Sequence, residues 1–163
     1  MVAVALSLDE QNMRRLGRAL RSVEDGKQLR ADLTRAARDV LNPTRNAARQ
    51  AIRAVPSSGH AGPKISRGIA NKVMVQIRLG GQYPGATLRA KKTPNVRKFR
   101  NAPKRFNARK GFTHPAINNR KIKIHQKGGP GWFDDTTRRD HAKYRRAMRR
   151  VLDAHDKRIR DRL

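Results

Sequence analysis

Between Asp39 and Asp134 the chain contains no aspartate or glutamate, and that gap holds 21 of its 40 Lys and Arg residues. A stretch carrying one sign of charge repels itself. It compacts only around a sufficient core or against a partner that neutralises it. The flanks share the other 19 cations and all 12 acids, so the middle supplies three quarters of the net charge of +28. Apolar residues make up 36% and aromatics 4% of the 163 residues. Those proportions permit one domain with a small core built mainly from Ala, Val, Ile and Leu. Solubility alone does not require the loss of every acid. The middle is therefore expected to face nucleic acid, an acidic protein surface, or both.

Cysteine is absent, which excludes a disulfide framework, cysteine-ligated metal and thiol catalysis. No apolar run approaches the roughly 18 residues that cross a bilayer. The stretch 1–8 is apolar but short, and it lacks the basic start and cleavage site of a signal peptide. The expectation is a soluble protein made inside the cell, with no membrane partner.

Hydrophobic spacing divides the chain. Met13, Leu16, Leu20 and Val23 recur at three and four, predicting a helix over 8–23 with Ser7 and Glu10 at capping-box spacing. Leu29, Leu33, Ala36, Ala37, Val40 and Leu41, continued by Ala48, Ala51, Ile52 and Val55, predict a second helix over 27–54. Pro43 is expected to kink or split it near Leu41. Residues 56–63 read as a loop. Val73, Val75, Ile77 and Leu79 alternate with Lys72, Met74, Gln76 and Arg78, the clearest strand in the chain. A second strand over 86–90 makes a hairpin. Residues 93–112 interleave Phe99, Phe106 and Phe112 with cations and read as a long mobile arm. A short strand is expected within 117–124. After a glycine-rich turn over 128–131, Tyr144, Met148, Val151, Leu152, His155 and Ile159 share one face of a long helix over 135–162. Asp134 or Asp135 is expected to cap its start.

Few residues group as chemistry would require. His114, Asn118, Asn119 and His125 hint at a His–Asn–His nuclease, but no acid is near to complete a metal site. Asp134, Asp135, Asp140 and His141 suit the start of a helix better than a cation. The 128–131 turn lacks the Lys-Ser/Thr of a phosphate loop, and no Gly-x-Ser-x-Gly elbow occurs. No cofactor and no enzyme activity are expected. The arm is the more specific signal. Lys91, Lys92, Arg97, Lys98, Arg100, Lys104, Arg105, Arg109 and Lys110 are the candidate contacts for a partner or for DNA.

The segment 113–133 begins Thr-His-Pro-Ala-Ile-Asn-Asn-Arg, continues with His125-Gln126, and ends with Pro130-Gly131-Trp132-Phe133. It resembles the head–tail connector and tail-completion proteins of long-tailed bacteriophages, especially those of actinobacterial hosts. His114, Pro115, Asn119, Arg120, Gln126, Pro130, Gly131, Trp132 and Phe133 carry the resemblance. Thr113 and Asn118 depart from it, standing where Arg and Gly are usual. The element order and Arg67-Gly68-Ile69-Ala70 are also similar, so the likeness spans the whole chain, although only 113–133 is motif-like.

The resemblance implies a structural virion protein of the neck, joining the DNA-filled head to the tail. It implies a ring of six or twelve copies that contacts adaptor or stopper proteins and the tail terminator or tube, with DNA in the channel as a further contact. Two readings compete with it. One is a basic nucleic-acid-binding protein of ribosomal or DNA-packaging type, and the other is a small nuclease.

The expected architecture is a single α+β domain. Two N-terminal helices (8–55) and a long C-terminal helix (134–162) pack on a small, mostly antiparallel sheet (65–92). A basic arm (93–112) projects, and a loop or short strand (113–133) leads into the last helix. Trp132 and Phe133 are expected to anchor that helix on the sheet, each contributing on the order of 2–3 kcal/mol by burial.

Overall fold

A computed structural model describes residues 2–6, 26–55, 62–80, 84–94, 99–115, 119, 121–127, 129 and 131–161, with the backbone alone at 2–6 and 62–64. The elements in chain order are β1 (Val2–Leu6), α1 (Gly26–Arg53), α2 (Gly62–Asn71), β2 (Val73–Arg78), β3 (Gly85–Ala90), α3 (Ala102–Asn107), β4 (Phe112–Pro115), β5 (Lys123–Gln126) and α4 (Asp134–Arg160). The fold class is α+β. A three-stranded antiparallel sheet of order β1-β3-β2 and a separate β4-β5 hairpin accompany the long helices.

The helical stripe read from sequence is the buried face of α1: Leu29, Leu33, Ala37, Leu41, Thr44, Ala48 and Ile52 all lie inside. The helix runs through Pro43 as one element, so it is not split near Leu41. Pro43 and Asp39, whose carbonyl loses its donor, are both exposed, and at the surface losing that bond costs far less than in the interior. The helix expected over 8–23 lies outside the described residues.

The long helices α1 and α4 pack side by side and antiparallel, with Thr44 beside Asp140 and Asp32 beside Arg158. One core cluster joins Leu29, Leu33, Ala37 and Leu41 of α1 to Ala86 of β3 and to Tyr144 and Met148 of α4. A second joins the C-terminal half of α1 to Ile69 and Ala70, the sheet residues Val73, Leu88 and Ala90, and the aromatics Phe106, Phe112, Trp132 and Phe133. On β3, Ala86, Leu88 and Ala90 are buried and their neighbours are not, the alternation of a sheet with one covered face. Val75, Ile77 and Leu79 pack against the clusters as their spacing predicts. Ile159, expected on the buried stripe of α4, is exposed near its end.

Three segments differ from the expected plan. The opening apolar stretch is a strand, paired in register from Val2↔Ala90 to Leu6↔Ala86. Residues 62–71 form a helix where a loop and then strands were expected. Pro63 suits its first turn, and Ser66, Ile69 and Ala70 are buried at helical spacing. The supposed arm is packed over 99–112. Phe106 and Phe112 are buried and Phe99 packs against them, with ring centroids 5.2–6.5 Å apart. Thr93 ties its root, the hydroxyl donating to the Phe99 carbonyl at 2.7 Å and the N–H to the Arg100 carbonyl at 3.0 Å. Three phenylalanines bury several kcal/mol of apolar surface. The interleaved cations lose little, because long side chains keep their charges in water while their neighbours go in.

Candidate functional site

The motif-like segment is built around the start of α4. Phe133 occupies the position before its first turn and offers no side-chain cap. The cap comes from Asn107 at the end of α3: its Oδ1 accepts the Phe133 N–H at 2.9 Å and the Asp134 N–H at 3.4 Å. Its Nδ2 donates to Asp134 Oδ2 at 2.8 Å, and its carbonyl accepts the Gly131 N–H at 3.1 Å. Asp134 and Asp135 therefore do not cap the helix as expected. They occupy its first turn, where the helix dipole favours them, and Arg109 pairs with Asp135. Gly131 has φ +73°, and a Cβ there would meet the Asp135 carboxylate, so the turn requires glycine. Beyond it Trp132 and Phe133 enter the core cluster that contains the sheet residues.

The candidate contact residues separate into groups. Lys91, Lys92, Arg100, Lys104, Arg105 and Lys110 are exposed. The Arg105 guanidinium lies over the rings of Phe99 and Phe112, 5.6 Å and 6.0 Å from their centroids, within the range of cation–π attraction. It also donates to the Thr113 carbonyl at 3.3 Å. Arg109 is held by Asp135. Arg97 and Lys98 lie outside the described residues, as do Arg120 and Pro130. The described cations form a charged skin over a packed segment in place of a free arm.

Hairpin register places Phe112 opposite Gln126, Thr113 opposite His125, His114 opposite Ile124 and Pro115 opposite Lys123. Opposed residues share a face, and that face alternates along each strand. One face therefore runs from Phe112 in the core, through half-buried Gln126 and His114, out to Ile124, and Ile122 lies just before the strand in the turn. These two isoleucines are 45% and 55% exposed. The other face carries Thr113, His125 and Lys123, with Lys121 and Lys127 close in sequence and exposed. At the turn, Asn119 Oδ1 accepts the Lys121 N–H at 3.0 Å and its carbonyl accepts the Ile122 N–H at 3.1 Å. His114 Nδ1 lies 2.9 Å from the Pro115 carbonyl.

Buried polar groups elsewhere hold the scaffold. Thr44 Oγ1 lies 2.8 Å from Asp140 Oδ2 and 2.9 Å from the Val40 carbonyl, two acceptors for one proton. Burial pushes the Asp140 carboxyl up, but hydrogen bonds from Lys143 and Thr44 and the nearby Lys143 and Arg139 charges outweigh it and hold the group below the usual carboxylate range, since each favours the charged form. Burial raises the Tyr144 hydroxyl, partly offset by a hydrogen bond with the Ala86 backbone. Burial, then the Arg45 and Arg53 charges, lowers Arg49, which donates to the Val73 carbonyl at 2.9 Å. Asp134, Asp135 and Asp140 each have a protein partner. Among the described residues no three His, Asp or Glu side chains gather as a metal site would require.

Sequence reasoning missed Asn107, because its partners at the start of α4, Phe133 and Asp134, lie 26 and 27 residues away and nothing local marks a cap for a distant helix. It also missed that Ile122 and Ile124, read as an ordinary strand face, are left uncovered. No helix among the described residues is long and apolar enough to cross a membrane. No family model matches the chain, no curated protein matches it, and no solved structure matches it.

Proposed function

We propose that this chain is a structural subunit of the neck of a long-tailed bacteriophage, assembling in a ring of six or twelve copies between head and tail. Its place is the virion, its partners are neighbouring neck and tail proteins, and its role involves no catalysis. The motif resemblance over 113–133 suggests the reading. The observation that supports it most directly is the β4-β5 hairpin, whose core-facing side continues past the core as exposed Ile124, with exposed Ile122 beside it at the turn and Lys121, Lys123 and Lys127 around them. Uncovered isoleucines inside a lysine fringe suit burial against a neighbour with an apolar slot and an acidic rim. Closed rings arise from such heterologous contacts when the rotation closes.

The test is quantitative mass spectrometry of purified particles, counting the protein against portal and major capsid proteins. A fixed copy number of six or twelve per particle, retained after nuclease and high-salt washing, is the expected result. Loss from washed particles refutes the reading. The double variant Ile122→Ser, Ile124→Ser should fold normally and be missing from particles; incorporation at the normal copy number removes the hairpin from the interface.

A further inference from the structure

The N-terminal half of α4 presents a surface that the neck reading does not use. Over 138–150 its exposed cations are Arg138, Arg139, Lys143, Arg145, Arg146, Arg149 and Arg150. Lys143 pairs with Asp140; none of the six arginines has an ion-pair partner among the described residues. At 3.6 residues per turn, Arg138, Arg145 and Arg149 fall on one line and Arg139, Lys143, Arg146 and Arg150 on an adjacent one, over about 18 Å of helix. Like charges at i,i+3 and i,i+4, such as Arg145–Arg149 and Arg146–Arg150, weaken a helix. The fold sharpens this arrangement. Asp140, the sole acid between Asp135 and Asp153, is turned inward, 8% exposed, and held by Thr44. Tyr144 and Met148 bury the opposite face in the core. In contrast, the exposed side of α1 mixes Asp32 with Arg35, and the last turns of α4 include Asp153 and Asp156.

From this geometry we infer that the arginine face of α4 binds the phosphate backbone of double-stranded nucleic acid, without reading sequence. Three features select that ligand. Arginine, which supplies six of the seven cations, presents a planar fork that fits phosphate oxygens. Over 138–150 the exposed surface holds no apolar residue larger than Ala142, whereas a protein interface has an apolar centre. The one Phe, Tyr or Trp of that stretch, Tyr144, is buried, and His141 is half-buried, so the face lacks the exposed stacking platform that single strands use. The inference stands whether or not the neck reading holds.

The test is fluorescence anisotropy of the full chain with labelled 20-base-pair DNA and RNA duplexes and a single strand of equal length, from 50 to 300 mM salt. The triple variant Arg138→Gln, Arg145→Gln, Arg149→Gln should flatten the log–log salt slope by about 2.7, at about 0.9 for each phosphate no longer neutralised. Its affinity at 0.1 M salt should fall on the order of 10²-fold, while its melting temperature holds or rises. A control with the same charge change at exposed positions outside every candidate contact, Lys27→Gln, Arg53→Gln, Arg78→Gln, should weaken binding only several-fold through the overall field. Preference for either duplex over the single strand, abolished by the helix variant alone, supports the inference. Equal effects of the two triples overturn it. So do equal binding of the single strand and equal, α4-dependent binding of poly-glutamate, which would make the partner an acidic protein.

Discussion

Replacing Asn107 by alanine tests the account of how α4 is held. The substitution removes the Oδ1 acceptor of the Phe133 N–H at a buried position. A buried donor left unsatisfied costs about 1–3 kcal/mol. Loss of a helix cap, about 0.5–2 kcal/mol, is the same bond seen from the helix and is not added. The bond from Nδ2 to half-buried Asp134 adds about 1 kcal/mol after allowance for its exposure. The sum is about 3 kcal/mol, which for a domain of this size lowers the melting temperature by about 6–12 °C. Asn101→Ala is the matched control. It removes the same residue type at the other end of α3, where the side chain is exposed and makes no cap bond, and should change stability by less than about 0.5 kcal/mol. Urea denaturation followed by circular dichroism gives both values. The single tryptophan, Trp132, reports the same event locally, because its emission should shift to the red as the turn beside it loosens. An effect of Asn107→Ala below about 0.5 kcal/mol, the range of an ordinary surface substitution, would refute the capping argument, as would equal effects of the two variants.

Other substitutions probe the remaining supports. Thr44→Val removes a donor from a buried carboxylate and should cost about 1–3 kcal/mol at neutral pH. The folded-state pKa of Asp140 lies below its unfolded value, so the stability it contributes is present above the unfolded pKa and is lost as pH falls through the folded one. In Thr44→Val that acid-side loss should shrink, as urea titrations between neutral pH and pH 3 would register. At Gly131, alanine would be strained by the φ of +73° and would meet the Asp135 carboxylate. Gly131→Ala should therefore cost about 1–3 kcal/mol; an unchanged melting temperature would contradict this. Phe106→Ala, at a buried ring, should cost about 3–5 kcal/mol and open 99–112 to proteolysis, whereas Lys104→Ala, exposed on the same short helix, should do neither.

What could be read from the residues alone was whatever depends on periodicity within one segment. The stripe of α1, the β2 strand with its hairpin partner and the inner face of α4 follow from side-chain spacing and solvent exclusion, so the α+β class and the helix after Pro130-Gly131-Trp132-Phe133 were legible. The buried destination of Trp132 and Phe133 followed from their apolar bulk in a chain with few aromatics. Other features depended on contacts between distant segments. The stretch Val2–Leu6 is a strand because β3 offers it an edge, and the 62–71 segment is a helix because the second core accepts Ile69 and Ala70. The cationic 99–112 segment packs because Phe99, Phe106 and Phe112 converge, which their separation in sequence does not reveal. Asn107 caps a helix that begins 27 residues further on, and Thr44 withdraws from the surface an aspartate 96 residues away. Charge composition raised the expectation of an anionic partner, but only the folded backbone separated the cations paired within the chain, such as Arg109, from those left without an ion pair along α4. The physical reason is that local spacing encodes which face is apolar, while the ligands, caps and exposed remainder of that face are set by which other faces arrive against it.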